Sequence, residues 1–202
     1  MRPANEALIV IDVQNDFCPG GALAVPDGDA VVPRINALMD EFQTRILTQD
    51  WHPADHGSFA ANHAGRQPLE VIEMPYGPQI LWPVHCVQDS RGAAFHPDLD
   101  VSRADHVVRK GCRPEIDSYS AFFENDHETS TGLDDYLSPK GIDKLTLVGL
   151  ATDFCVLYSA LDAVRLGYAV TIVEGACRGI DLNGSLEDAR TTMLDANIVL
   201  EP

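Results

Sequence analysis

The chain has 202 residues, 45% of them hydrophobic and 22% charged, a balance that fits a globular protein and argues against disorder. Asp and Glu outnumber Lys and Arg by 31 to 14, and the formal charge of −17 disfavours nucleic-acid backbones and anionic membrane surfaces as partners. At this length one domain over residues 1–202 is expected.

Ala7 to Ile11 is an apolar, mostly β-branched run that reads as a strand buried on both faces. Asp12 stops it, so it is too short for a secretion signal or a membrane span, and a cytoplasmic protein is expected. A Gly/Pro-rich loop follows from Asp16 to Asp29, broken by Pro19-Gly20-Gly21 and Pro26. Val31, Ile35, Leu38, Met39 and Phe42 recur at helical spacing, and Ile46 to Gln49 predicts a strand stopping at Asp50. From Asp50 to His106 the chain reads as mostly irregular, and loops beyond about 15 residues usually carry function. That stretch is expected to be a lid or a site-building excursion.

Val107 to Arg109 reads as a short strand before Lys110-Gly111, and Leu133 to Leu137 as a helical turn. Leu145 to Leu150 is a strong strand. Asp153 then sits where a helix N-cap belongs, ahead of a helical face made by Val156, Leu157, Ala160, Leu161 and Val164 and closed by Gly167. Ala169 to Val173 is a strand, Ser185 to Leu194 a helix with Ser185 and Asp188 at capping-box spacing, and Ile198 to Leu200 a last strand. Strands and helices alternate, so the expected fold is a three-layer α/β/α sandwich on a mostly parallel sheet of about six strands.

Such sheets bind ligands beyond the carboxyl ends of their strands. Asp12, Asp50, Lys110 and Cys155 all fall at that edge, each after a different strand. Cys155, in the first turn of a helix, has the setting of a nucleophile: helix N–H groups and the Lys110 ammonium favour a thiolate and the same N–H groups suit an oxyanion, while Asp12 is placed to relay its proton. Spacing alone leaves equal room for a small buried cysteine. The chain has three lysines, and Lys140 and Lys144 flank a polar loop, which singles out Lys110, although a solvated strand-end lysine is the common case. Asp50-Trp-His-Pro-Ala-Asp-His56 crowds carboxylate and imidazole together, a donor set for zinc, iron or manganese, with His85 a more distant candidate and an ordinary polar loop the plain alternative. His63, His96, His106 and His127 lack such neighbours. Five scattered cysteines without a CxxC pair make neither a disulfide framework nor a structural zinc site.

Five stretches together resemble the nicotinamidases, or pyrazinamidases, among the isochorismatase-like cysteine hydrolases. They are Ile11-Asp-Val-Gln-Asn-Asp-Phe-Cys-Pro-Gly-Gly21, Asp50-Trp-His-Pro-Ala-Asp-His56, Trp82-Pro-Val-His-Cys86, Lys110-Gly111 and Gly149-Leu-Ala-Thr-Asp-Phe-Cys-Val156. They keep the family's order and span nearly the whole chain. Metal-free isochorismatases share the first and last but lack the second with its distant histidine. The resemblance implies a triad of Asp12, Lys110 and Cys155, a divalent metal ion, zinc before iron or manganese, on Asp50, His52 and His85, and His56 either bound to it or standing behind. It implies a ring pocket of Phe17 and Trp82 with Leu23 and Tyr119, a non-proline cis peptide at Leu150–Ala151, and an oxyanion hole from the N–H groups of Ala151 and Cys155. Phe154 stands where relatives carry histidine or tyrosine, a position that tunes the pocket.

The implied reaction turns nicotinamide, and by extension pyrazinamide, into the acid and ammonia through a thioester, in NAD salvage. The metal would orient the ring through its nitrogen. Nothing in the sequence decides whether the chain works alone or as a homo-oligomer. A carbamoyl-amino-acid amidase is the nearest alternative and needs a basic partner for the substrate carboxylate, for which Arg113 is nearest in sequence. A non-enzymatic metal-binding or interaction protein is the alternative of another class, and the intact triad argues against it.

Overall fold

A computed structural model describes residues 1–202. Its centre is a six-stranded, wholly parallel sheet of β1 (Glu6–Ile11), β2 (Thr44–Asp50), β5 (His106–Lys110), β6 (Lys144–Leu150), β7 (Ala169–Arg178) and β8 (Val199–Glu201), in the order β5-β2-β1-β6-β7-β8. Every residue of β1 is buried, as in a strand covered on both faces by helices. The expected α/β sandwich is therefore the observed fold.

The helices are α1 (Val32–Met39), α2 (Leu133–Leu137), α3 (Leu157–Arg165) and α4 (Ser185–Asp195). α1 opens with Pro33 in its first turn, where no N–H partner is needed, and buries Val32, Ile35, Leu38 and Met39 at helical spacing. α3 ends at Gly167, whose φ of +96° is the left-handed step that glycine makes without cost. No helix is long and apolar enough to cross a membrane.

Two capping expectations are corrected. Ala151, in extended backbone, stands at the N-cap, and a π-turn over Thr152–Val156 leads into α3. The Asp153 carboxylate instead accepts from Ile180 N–H (2.9 Å), Asp181 N–H (2.8 Å) and the Ser185 hydroxyl (2.5 Å). The turn after β7 brings these donors close without a ladder partner, and a nearby carboxylate satisfies them better than a cap would. Ser185 is spent on the same contact, so α4 begins after Gly184 with no side-chain capping box.

The long excursion after β2 is not wholly irregular. It holds an antiparallel hairpin, β3 (Val71–Met74) and β4 (Gly77–Ile80), separate from the main sheet. From there the chain returns to the sheet edge: Ala60 N–H donates to Trp82 O and Trp82 N–H to Ser58 O, and His52 bridges to Val87.

Candidate active site

Parallel strands bring their carboxyl ends to one edge. β2 and β5 pair with Asp50 opposite Lys110, and Ile11, opposite Gly149, puts Asp12 just past the end of β1. Asp12 leaves the strand with φ of +47°, Thr48 Oγ1 accepts its N–H at 3.1 Å, and the same hydroxyl donates to Asp12 Oδ1 at 2.5 Å.

The Lys110 ammonium is fully buried at the meeting point. It lies 2.9 Å from Asp12 Oδ2, donates to Asp50 Oδ1 and to Ser118 O (2.8 Å), and stands 3.5 Å from Cys155 Sγ. Asp12 Oδ2 is buried and makes no hydrogen bond beyond that ion pair, and it lies close to the thiol. Asp12, Asp50 and Cys155 have donor atoms within 4.8 Å of one another.

Opposing influences act on the Cys155 thiol. Burial pushes the Cys155 thiol well above its ordinary range; Lys110 pulls it down, and Asp12 and Asp50 push it up again. Burial also raises Asp12 against the pull of Lys110. For Asp50 burial works upward, but Lys110 and then His52 override it and hold the carboxyl well below the usual range. Burial thus disfavours the charged form of both the thiol and Asp12, while Lys110 favours it in both.

Asp50, His52 and His85 form a second buried group. Asp50 Oδ2 lies 3.5 Å from His52 Nε2 and 4.0 Å from His85 Nε2. His52 Nδ1 sits 2.9 Å from Gly111 O and His85 Nδ1 2.7 Å from Pro83 O. Carbonyls only accept, so both Nδ1 atoms carry hydrogen, and in the neutral rings both Nε2 lone pairs face the carboxylate. Burial, then His52, brings His85 down to about 4, while Asp50 more than reverses the effect of burial on His52. One carboxylate oxygen and two imidazole lone pairs converging in a buried spot fit a divalent transition metal.

His56 stands apart. Its Nε2 faces Ile116 O at 3.2 Å, and its Nδ1 accepts from Ser58 Oγ (2.8 Å) and Ser58 N–H (3.3 Å). That pattern uses both ring nitrogens within the protein. The ring packs 4.3 Å from His52, behind the ligand group.

A small, mostly apolar cavity opens on both groups. Phe17, Leu23, Trp82, Tyr119, Ala151, Phe154 and Cys155 line it, with Asp50 and His85 on one side. Trp82 meets Phe154 edge-on at 5.1 Å, and Trp82 Nε1 donates to the Tyr119 hydroxyl at 3.0 Å. The Leu150–Ala151 peptide is cis. The structure thereby brings together every residue singled out for the triad, the metal and the ring. Arg113 is not among the lining residues: it is more than half exposed and reaches Glu124 at 3.7 Å.

Asp117, Ile180 and Gln79 carry no marker in the sequence. Asp117 and Ile180 line the cavity. Gln79, on β4, is buried and donates to Asp117 Oδ2 at 2.8 Å, with its amide 3.1 Å from the Tyr119 hydroxyl. A polar residue inside an irregular stretch acquires meaning only once the fold supplies its partners.

The isochorismatase domain family matches residues 6–199. A nicotinamidase of Acinetobacter baylyi is 52% identical over 199 residues, covering 98% of this chain and 93% of that protein. Among solved structures, a nicotinamidase–pyrazinamidase of Acinetobacter baumanii superposes with a TM-score of 0.98 at 55% identity, over 100% of this chain and 97% of the other. A pyrazinamidase of Pyrococcus horikoshii in complex with zinc superposes at 0.79 with 35% identity, over 98% of each chain.

Proposed function

Because the chain belongs to the isochorismatase family, we propose that it hydrolyses the carboxamide of nicotinamide to nicotinate and ammonia. The observation that carries this reading is the convergence of Asp12 and Lys110 on Cys155, which lines an aromatic cavity that also opens on Asp50 and His85.

The ring lies between Phe17, Trp82 and Tyr119 with its carboxamide toward Cys155. The thiol proton passes to Asp12 Oδ2 as Sγ attacks the amide carbon. The N–H groups of Ala151 and Cys155 receive the oxyanion. Asp12 returns the proton to the leaving nitrogen, ammonia departs and a thioester remains. Water then attacks the thioester, Asp12 takes its proton, and Cys155 leaves as the thiol. Lys110 keeps its charge throughout and holds Asp12, Asp50 and Sγ at fixed distances.

Asp50, His52 and His85 would hold one divalent ion, zinc before iron or manganese, which supplies a Lewis acid for the ring nitrogen. His56 supports the group from behind. Pyrazinamide carries a ring nitrogen in the same meta relation to its carboxamide and belongs to the same substrate class. The product is the acid required for NAD salvage, a cytoplasmic role.

A carbamoyl-amino-acid substrate fits poorly, because the cavity offers a carboxylate group no free cation: Lys110 is paired twice and Arg113 lies outside. The test is ammonia release from nicotinamide and from carbamoyl amino acids, with and without chelator, on wild type and Cys155→Ala. Turnover of nicotinamide that is lost in the variant is expected. Equal turnover by Cys155→Ala, or preference for the carbamoyl substrate, overturns the reading.

A further inference from the structure

We propose that Asp16 is a positioning residue that locks the ring pocket and the metal group into one unit; this rests on the metal reading given above. Asp16 touches neither the triad nor the cavity, yet it joins three segments that do. Its carboxylate takes the Cys86 N–H on Oδ2 at 2.7 Å and the Ala22 N–H on Oδ1 at 3.2 Å. Its own carbonyl accepts the Leu23 N–H at 3.0 Å, and its N–H donates to Gly92 O at 3.0 Å.

The neighbours of these contacts are site residues. Phe17 follows Asp16, Leu23 follows Ala22, and His85 precedes Cys86, and all three line the cavity. Phe17 and His85 also pack ring on ring at 5.5 Å. The Cys86 peptide relays further, because its carbonyl accepts the His52 N–H at 3.0 Å. One carboxylate therefore holds the residue next to His85 and, through that residue's carbonyl, the backbone of His52. Cys86 needs such a hold: its φ of +46° is a left-handed conformation that a cysteine adopts only under constraint.

Gly92 closes the arrangement from the other side. A Cβ there would overlap the Asp16 carboxylate itself, so a glycine is what lets the carboxylate reach Cys86. Asp16 must accept on both oxygens. Asparagine has the same shape but offers one acceptor oxygen and turns a donor toward the second N–H.

The experiment measures three quantities on wild type, Asp16→Asn and Gly92→Ala. They are zinc affinity of the metal-stripped protein by chelator competition, KM and kcat for nicotinamide at saturating metal, and the alkylation rate of Cys155. Losing a support behind a metal ligand typically weakens binding by about 10–100-fold, and that loss is expected in both variants, with KM raised, kcat kept and alkylation unchanged. Agreement of the two variants, which disturb one contact from opposite sides, excludes an effect peculiar to either substitution. If Asp16→Asn fails to fold, Gly92→Ala alone decides. Wild-type zinc affinity and KM in the folded variants overturn the proposal. So does a parallel fall in alkylation, kcat and melting temperature, which marks general packing. A wild-type protein that binds no divalent ion overturns the metal reading and this proposal with it.

Discussion

Burial pushes the Cys155 thiol above its ordinary range, and the Lys110 ammonium works against that push. Removing the thiol as Cys155→Ala, or removing the proton acceptor as Asp12→Asn, should each cost at least about a thousandfold in kcat for nicotinamide, since a nucleophile and its base act as one unit. Lys110→Met tests the charge balance in metal-stripped protein. The ammonium favours the thiolate, so its loss raises the thiol pKa further, and the pH profile of Cys155 alkylation should move upward. The same variant leaves two buried carboxylates without their shared cation and should lose roughly 3–5 kcal/mol in denaturant unfolding. Lys110 is raised well above 10.5 because Asp12 and Asp50 outweigh its burial. Its contribution is therefore complete below that pH and fades only as pH climbs through the folded value, so the deficit should be constant across neutral pH and shrink in strong alkali. At this scale the sequence was informative where a residue closes a strand, as Asp12, Asp50 and Lys110 do. It was silent where meaning comes from distant partners. Gln14 is the clearest case: buried after β1, it pairs with both the N–H and the carbonyl of Asp50, each at 2.8 Å, a role invisible without the β1–β2 pairing.

Among the elements, the β3–β4 hairpin was the one missed. Its outer residue Val71 is exposed and its turn falls at Pro75-Tyr76, so neither a clean two-residue alternation nor a glycine-led turn announces it. Its contribution to the site is Gln79, which supports Asp117 and the Tyr119 wall. Gln79→Leu keeps the volume and removes the donor, and it should raise KM for nicotinamide while leaving Cys155 alkylation intact. The lost hydrogen bond to a carboxylate corresponds to about 1.5–3 kcal/mol of stability, readable in urea. The Asp153 cap was misread for a related reason. Position before a helix is a local signal, whereas the N–H groups of Ile180 and Asp181 reach Asp153 only because β7 pairs with β6. Gly149 shows the opposite, a local residue with a strict tertiary demand. Its φ is +116°, and a Cβ would run into the backbone of Ile11. Gly149→Ala should lower the urea midpoint by the equivalent of at least about 1–3 kcal/mol, with activity falling alongside because β1 carries Asp12.

For the whole molecule, alternation of strands and helices was enough to predict the layered parallel sheet, because a strand as apolar as Ala7–Ile11 has to be covered on both sides. Strand order was not legible, since nothing local specifies which buried strand lies beside which. Metal binding should register globally: zinc at one hundred times its Kd should add about 2.7 kcal/mol to unfolding stability. Cys155→Ala should keep that increment and His85→Ala should lose it, measured as a shift in thermal midpoint on zinc addition. The position of β1 also bears on how the protein is made. β1 is made before both of its neighbours, β2 and β6, and its second edge waits for Lys144–Gly149 to emerge. A nascent chain halted before that point has Asp12 and Lys110 but neither Cys155 nor a partner for half of its innermost strand. Such a chain should be inert, should expose an adhesive edge, and should draw on chaperones until residues 144–149 have been made. Moving the ends of the protein by circular permutation, so that β6 is made before β1, should shorten that vulnerable interval without altering the finished enzyme.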